Sequence, residues 1–392
     1  MSGGRSLDAL TGLRFFAALH VVLFHFAAPT LGSAPEVLRN WVGAGYAAVG
    51  VFFVLSGFVL AWNYLDAEGR METPPRAFWA ARVARVYPVY VLAFLLAAPT
   101  TIAASVMDNG WLVAAGKATI GGLCTLALVQ AWVPVVALYW NPPGWSVAVE
   151  AFFYGVFPHL ARGLPRLRPS VLPAALVGAW LLGLAPPVLY LWLDPDRVAT
   201  VNAGTWTTWL AVLKFNPVMR LPEFVFGVLL GWYFVRARAA EPAKQGRGAA
   251  QALVGGALLV AAGMAAPRIP FPLMHNALLV PASGLLVYGL AKGGGALGWL
   301  LSRPLLVRLG GASYALYLLQ YPASEAARAL ALWAGWSPAV AQLPLLLGLA
   351  VPASLWVHLY VETPLRARVR DALEPWVEEV PQASTKPFVS GA

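Results

Sequence analysis

The sequence predicts an all-α fold: a polytopic membrane helix bundle of about ten transmembrane helices, with one extra re-entrant or packed apolar segment at 119–136. Hydrophobic residues make up 59% of the 392 residues, and charged residues only 11%. Soluble domains keep about 25% charged residues to cover their surface. Apolar stretches near 20 residues long, the length that crosses a bilayer, recur from end to end. These observations disfavour the alternative, a large soluble all-α protein.

Ten apolar stretches are predicted to cross the bilayer: 10–28, 47–65, 84–106, 145–162, 171–193, 217–236, 249–267, 274–292, 309–331 and 339–362. The stretch 119–136 is also long enough to cross the bilayer, so the charges of the loops are used to decide whether it does. If it does not cross and both termini are cytoplasmic, 20 of the 27 Lys and Arg residues face the cytoplasm. This is the usual excess of basic residues on that side. The seven on the outer side are Arg39, Lys117, Arg197, Lys214, Arg220, Arg268 and Arg328.

The same count predicts a multi-pass protein of the inner (plasma) membrane, surrounded by the lipid bilayer, with both termini in the cytoplasm. One membrane domain, 1–366, is expected. A cytoplasmic tail, 367–392, should begin as a basic helix and end disordered.

The composition also excludes several classes of site. A single cysteine, Cys124, excludes an internal disulfide framework and a cysteine metal site, and no metal is predicted. The net charge of +10 might suggest a nucleic-acid partner. In a membrane protein the basic cytoplasmic loops account for it, so no nucleic-acid partner is expected.

The first span carries Arg14 and His25. A charge at mid-membrane costs about 2.5–3.5 kcal/mol, so it persists only beside a partner or a watery cavity. Eleven helical steps place the two residues on one face, about 16 Å apart along the axis. Arg14 then lies near the cytoplasmic end and His25 in the outer third. The alternatives are a snorkelling anchor for Arg14 and a helix–helix hydrogen bond for His25.

Two further groups favour a functional interpretation. Arg82 and Arg85 lie on one helix face at the cytoplasmic start of the third span, and with Arg14 they could bind an anion bidentately. The alternative is ordinary basic flanking charge. Glu150 in the fourth span is expected at the depth of His25, where it could orient the imidazole. The alternative is a structural ion pair with Arg220, beside Glu223.

Seven stretches, in this order, resemble the acyltransferase-3 family of integral membrane acyltransferases: LDALTGLRFFAALHVVLFHF, AVGVFFVLSGFVLAW, FWAARVARVYPVYVL, PPGWSVAVEAFFYGVFP, RLPEFVFGVLLG, LGGASYALYLLQYP and VETPLR. The resemblance covers essentially the whole chain. It implies transfer of an acyl group, mostly acetyl, from acyl-CoA to a hydroxyl of a sugar, a cell-envelope polysaccharide or a glycosylated natural product.

The resemblance also implies residue roles. His25 would be catalytic, and Arg14, Arg82 and Arg85 would bind acyl-CoA (acetyl-CoA), the co-substrate. Glu150 would assist His25. Substrate-binding or supporting roles would fall to Trp145, Ser146, Tyr154, Arg220, Glu223, Ser313, Tyr314 and Gln320.

Gln320 departs from the family pattern, because many members have histidine there. Glutamine can hydrogen bond but cannot take a proton near neutral pH, so Gln320 is not a base. Either the position is structural or acceptor handling differs. The mechanism expected is His25 as the base, oriented by Glu150, by direct transfer or through an acyl-histidine intermediate. A membrane transporter is the rival from another class, since it too would carry intramembrane charges. A non-catalytic membrane sensor is the third function considered.

Overall fold

The computed structural model describes residues 7–240 and 248–378. Across these two ranges the chain is helical, and the only β pairing is an isolated bridge between Leu65 and Met71. The α-helices are α1 Asp8–Phe26, α2 Glu36–Gly43, α3 Ala48–Tyr64, α4 Pro75–Asn109, α5 Trp111–Leu126, α6 Gly144–Gly163, α7 Leu172–Leu193, α8 Thr208–Phe215, α9 Pro217–Ala240, α10 Ala249–Met264, α11 Phe271–His275, α12 Val280–Ala291, α13 Gly295–Leu301, α14 Pro304–Gly311, α15 Ser313–Trp333, α16 Pro338–Val357 and α17 Thr363–Glu378. A π-helical turn, His358–Glu362, joins α16 to α17.

The predicted membrane bundle is confirmed. Within the described ranges, seven helical stretches are long and apolar enough to cross a membrane. They are Asp8–Phe26, Glu36–Tyr64, Pro75–Asn109, Pro169–Leu193, Thr208–Ala240, Phe271–Ala291 and Pro338–Glu378. The other three predicted spans, 145–162, 249–267 and 309–331, coincide with α6, α10 and α15. Of these, α10 has only 16 residues, while α6 and α15 carry polar side chains that face the interior.

The apolar segment 119–136 is not one helix. Its first part lies in α5, which ends at Leu126, and short 3₁₀ turns follow at Gln130–Trp132 and Pro134–Val136. Gln130 is buried, and its amide donates to Tyr90 Oη and the Gly144 carbonyl. Protein therefore covers part of this irregular backbone, which is the condition for non-helical chain at membrane depth. This agrees with a packed segment.

The predicted span 274–292 is broken. α11 ends at His275 and α12 begins at Val280, and Ala277 between them has a positive φ of 46°. The break is satisfied by α9: Arg220 donates to the His275 carbonyl, and Glu223 accepts from the Ala277 N–H at 2.9 Å. A buried arginine and a buried carboxylate thus replace the lost helical hydrogen bonds.

Glycines allow α3 and α9 to pack closely. A Cβ added at Gly227 would overlap the Val54 carbonyl, and one at Gly57 would overlap the Phe224 carbonyl. Gly231 likewise faces the Phe58 carbonyl, so α9 presents a small-xxx-small pattern to α3. Gly57, Gly227 and Gly231 therefore lie where the two backbones approach most closely.

The predicted boundary at 366 falls inside α17, which continues to Glu378. α17 lies against the start of α4, where the Arg76 guanidinium donates to the Trp376 carbonyl at 3.3 Å and sits over the Trp376 ring. The predicted disordered end of the tail, 379–392, lies outside the described residues.

Candidate active site

Two cavities in the bundle contain most of the predicted site residues. The arginine cavity, of about 130 Å³, is lined by eight of them: Arg14, Arg82, Arg85, Ser146, Glu150, Tyr154, Ser313 and Tyr314. The histidine cavity, of about 230 Å³, is lined by His25 and Trp145 together with Tyr46, Lys214 and His275. Val49 and Tyr317 line both, so the two cavities adjoin.

Three helices run between the cavities. α1 carries Arg14 into the arginine cavity and His25 into the histidine cavity, and α15 runs the same way from Tyr314 to Tyr321. α6 runs in the opposite direction, from Trp145 to Tyr154. These directions agree with the crossings predicted from charge, since α1 and α15 occupy odd-numbered spans and α6 an even-numbered one.

The three arginines have different partners. Arg85 forms an ion pair with Glu362 in the π-helical turn, so its charge is matched within the protein. Arg82 donates to Tyr64 Oη at 2.9 Å and lies over the Tyr64 ring. Arg14 has no ion pair or hydrogen bond within the described part of the chain. Arg14 and Arg82 therefore form no ion pair with any described residue, although the Glu150 carboxylate also lines this cavity.

Two buried polar atoms of the same cavity also lack partners. Arg82 Nε and Ser313 Oγ are buried and make no hydrogen bond to any described residue. Donors left unpaired in this way cost free energy unless a ligand satisfies them. Together with the unmatched guanidiniums, they fit an anionic ligand.

The predicted pair of His25 and Glu150 is wrong in its geometry. Glu150 accepts a hydrogen bond from Ser56 Oγ at 2.8 Å and lines the arginine cavity. The segment before α6 packs into the bundle, so Pro142, Pro143 and Trp145 already lie at the depth of His25. Five further residues place Glu150 about 7.5 Å deeper. The alternative partner, Arg220, does not meet Glu150 either, because it pairs with Glu223.

Gln320 takes the place predicted for Glu150. His25 Nδ1 lies 2.8 Å from Gln320 Oε1, and Gln320 Nε2 donates to the Tyr317 carbonyl at 2.7 Å. Because the amide nitrogen is committed to that carbonyl, the amide oxygen faces His25 and can only accept. Nδ1 of His25 therefore carries the proton. Its Nε2 keeps a lone pair that no described residue occupies, and His25 lines the histidine cavity.

Comparison with known proteins places this geometry in a family. The family model described as "Acyltransferase domain", acyltransferase 3, matches residues 7–359. The chain belongs to the acyltransferase-3 family. It is 31% identical to acyltransferase MdmB of Streptomyces mycarofaciens, over 96% of this chain and 97% of that protein. It is 25% identical to O-acetyltransferase OatA of Staphylococcus aureus, over 50% of this chain and 32% of that protein. No solved structure matches.

The chain is therefore a multi-pass membrane acyltransferase that transfers groups other than aminoacyl groups. This decides against the transporter and the sensor. No cluster of metal-binding side chains occurs in the described ranges of this acyltransferase.

The acyltransferase has a buried polar network beside the histidine cavity. Arg220, fully buried, donates to Glu223 Oε2 at 3.0 Å, to His275 Nδ1 at 3.0 Å and to Asn276 Oδ1. The sequence patterns predicted roles for Arg220 and Glu223 but not for His275, Lys214 or Glu362. The available signal for His275 was a polar His-Asn pair that interrupts an apolar run. Lys214 belongs to no pattern that indicates a role, whereas Glu362 lies in VETPLR, one of the stretches that carry the family resemblance.

A loop of the acyltransferase, 194–207, covers part of the histidine cavity and contributes Ala203 to it. Asp196 fixes this loop by accepting from Thr207 Oγ1 at 2.5 Å, Tyr190 Oη at 2.9 Å and the Leu210 N–H at 2.9 Å. Burial opposes ionisation of this carboxyl, but the hydrogen bonds outweigh it and lower the pKa of Asp196. The carboxylate is therefore ionised at neutral pH and anchors the loop.

Proposed function

We propose that this acyltransferase moves an acyl group, acetyl in the first instance, from acyl-CoA to a hydroxyl of a sugar-containing acceptor. The observation that carries the proposal is that the arginine cavity and the histidine cavity adjoin at Val49 and Tyr317. A donor held by its phosphates in the first can present its thioester to the free Nε2 of His25 in the second. The relative named an O-acetyltransferase supports a hydroxyl acceptor.

The arginine cavity suits the donor because CoA is anionic. Arg14 and Arg82 form no ion pair with any described residue, and Arg82 Nε and Ser313 Oγ are unpaired among those residues. Guanidiniums bind phosphate oxygens in bidentate geometry. Arg85 contributes less, since Glu362 already neutralises it. We assign this end of the bundle to the cytoplasm, where positive-inside bias also places both termini of a plasma-membrane protein.

In the proposed step, His25 Nε2 removes the proton from the acceptor hydroxyl as its oxygen attacks the thioester carbonyl. The new C–O bond forms, the C–S bond breaks, and the imidazolium returns the proton to the CoA thiolate. Gln320 holds the imidazole by accepting from Nδ1–H throughout. Glu150 lies at the arginine cavity, where it accepts a hydrogen bond from Ser56, so we do not assign it the role of orienting His25.

The test uses purified protein in lipid nanodiscs, with radiolabelled acetyl-CoA and a panel of methyl glycosides. His25→Ala should lower acetyl transfer by about 10²–10⁴-fold, the usual contribution of a positioned base. CoA affinity, measured by calorimetry, should not change. Arg82→Ala should instead weaken CoA binding by about 10–100-fold, as expected for a charged hydrogen bond.

The matched control is His159→Ala, because His159 is an exposed histidine of α6 outside both cavities. It should leave both readouts unchanged. Acetyl transfer by the His25→Ala protein at the wild-type rate would refute the mechanism. Unchanged CoA affinity in Arg82→Ala would remove the arginine cavity as the donor site.

A further inference from the structure

The histidine cavity holds two polar side chains that the proposed step does not use, His275 and Lys214. Neither belongs to a stretch that resembles the family. Both are almost fully buried, with 6% of each residue exposed. Their hydrogen-bonding state in the cavity shows what they can bind.

The protonation state of His275 is set by Arg220. The two protons of Arg220 Nη1 are directed at the His275 carbonyl and Asn276 Oδ1, and Nη1 also lies 3.0 Å from His275 Nδ1. Because a guanidinium can only donate, a cation this close favours a lone pair over an N–H on the facing ring nitrogen, so we take Nδ1 as the unprotonated nitrogen. The proton of this imidazole is therefore on Nε2. Nε2–H has no acceptor among the described residues. His275 is thus the reverse of His25, whose Nδ1 is protonated and whose Nε2 can accept.

Lys214 is also poorly satisfied. Its ammonium makes one hydrogen bond within the described residues, a long 3.4 Å contact with the Ala203 carbonyl. Its remaining neighbours include the rings of Phe215 and Phe271, at 5.0 and 5.5 Å from their centroids. An ammonium has three protons to donate, and leaving them unpaired inside protein is costly. Oxygen atoms of a ligand in the cavity would satisfy them.

The walls of the cavity indicate the class of that ligand. The Tyr46 and Trp145 rings stack near His275, with centroids 5.8 and 6.2 Å from its own. Flat aromatic faces pack well against the C–H faces of a sugar ring, while the two donors need acceptor oxygens. A purely apolar acyl chain would leave both donors unsatisfied.

We propose that His275 Nε2–H and the Lys214 ammonium bind oxygen atoms of the sugar acceptor, so that the reacting hydroxyl donates to His25. This inference rests on the proposed function and adds the acceptor-binding residues to it. The acceptor must present one hydroxyl that gives up a proton and other oxygens that accept hydrogen bonds. Arg220 is a positioning residue, since it fixes the tautomer of His275.

The experiment takes the methyl glycoside that the wild type acetylates fastest, with its set of monodeoxy analogues. His275→Leu and Lys214→Met should each raise the KM for the glycoside by about tenfold or more, the loss expected for one hydrogen bond to substrate. The KM for acetyl-CoA should stay within twofold of wild type. His275→Gln, which keeps an N–H donor, should recover part of the loss.

The deoxy analogues identify the contact. The wild type should have a higher KM for at least one deoxy analogue than for the full glycoside. Lys214→Met or His275→Leu should have the same KM for both, because the side chain that donates a hydrogen bond to the missing oxygen has been removed. Melting temperature and CoA affinity establish that each variant is folded. If His275→Leu does not fold, His275→Gln and Lys214→Met carry the comparison.

A glycoside KM within twofold of wild type in both Lys214→Met and the His275 variant would overturn the inference. So would an equal rise in the KM for acetyl-CoA. Glycoside binding to each protein, measured by calorimetry without acetyl-CoA, separates this result from a failure of the proposed function. Loss of acetyl transfer to every glycoside in the wild-type protein would refute the proposed function, and full turnover by His25→Ala would refute its mechanism. Unchanged glycoside binding in the cavity variants refutes only the acceptor site.

Discussion

Gln320 controls the state of His25 through a single side-chain oxygen. An aspartate or glutamate in this position would stabilise an imidazolium by its charge, whereas the neutral amide only orients the ring and fixes the proton on Nδ1. Gln320 itself is held by the Tyr317 carbonyl and is fully buried. The residue that departs from the family pattern therefore contacts His25 directly, and its role in the reaction stays a prediction.

Replacing Gln320 with Leu tests this role. Without an acceptor for Nδ1–H, the imidazole loses its fixed tautomer and orientation, so kcat for acetyl transfer should fall by about 10–100-fold or more. CoA affinity should be unaffected, because Gln320 does not line the arginine cavity. Steady-state kinetics with acetyl-CoA and a glycoside measure the change.

The control for this variant is Gln342→Leu. The partly buried amide of Gln342 also makes one side-chain hydrogen bond, donating to Ser324 Oγ at 2.8 Å. Gln342 belongs to α16 and lines neither cavity. A fall in kcat of the same size in both variants would assign the Gln320 effect to general loss of packing.

Residue-level prediction from sequence succeeded where it depended on one regular helix. The eleven-residue spacing placed Arg14 and His25 at different depths on α1, and the structure puts them in adjoining cavities. The partner of His25 could not be found in this way, because Gln320 is 295 positions away and meets it only through tertiary packing. The roles of all these residues in the reaction stay predictions.

At the scale of the helices, the contact between α3 and α9 positions the site. α3 contributes Val49 and Ser56 to the arginine cavity, and α9 contributes the Arg220 and Glu223 that hold the α11–α12 break. Glycines at the crossing bring the two backbones together. The placement of Val49 and Ser56 therefore depends on glycines that line neither cavity.

The same substitution at two glycines tests the crossing. Gly227→Ala should lower the free energy of unfolding by about 1–3 kcal/mol, because the new methyl group would overlap the Val54 carbonyl. Gly178→Ala in α7 has nothing within 4 Å and should be neutral or stabilising by about 0.5–1 kcal/mol. Thermal unfolding in detergent ranks the stabilities of the two variants. A Gly227→Ala protein as stable as the Gly178→Ala protein would contradict close packing of α3 and α9.

Two errors of the helix-level prediction have one physical cause. Spans were drawn from apolar length, which assumes that each helix starts at the membrane surface. α6 starts inside the bundle after a packed segment, so Glu150 lies deeper than predicted. The span 274–292 is broken at Asn276 because buried side chains of α9 satisfy its backbone. Apolar length does not report either event.

At the scale of the whole molecule, the account requires the two cavities to act as one passage. In the proposed function, the donor enters through the arginine cavity, the acceptor occupies the histidine cavity, and acyl transfer takes place where they adjoin. Val49 is buried in α3 at that junction and lines both cavities. Its small side chain leaves the thioester room to approach His25.

The most direct measurement is acetyl transfer and CoA affinity in the same preparation of a Val49→Phe protein. The larger ring should displace the thioester from His25 and lower transfer by about 100-fold. CoA affinity should stay within about threefold of wild type, since the arginines are untouched. Val188→Phe, at an exposed position of α7, is the control for adding a ring. Wild-type turnover in a folded Val49→Phe protein would contradict a passage between the cavities.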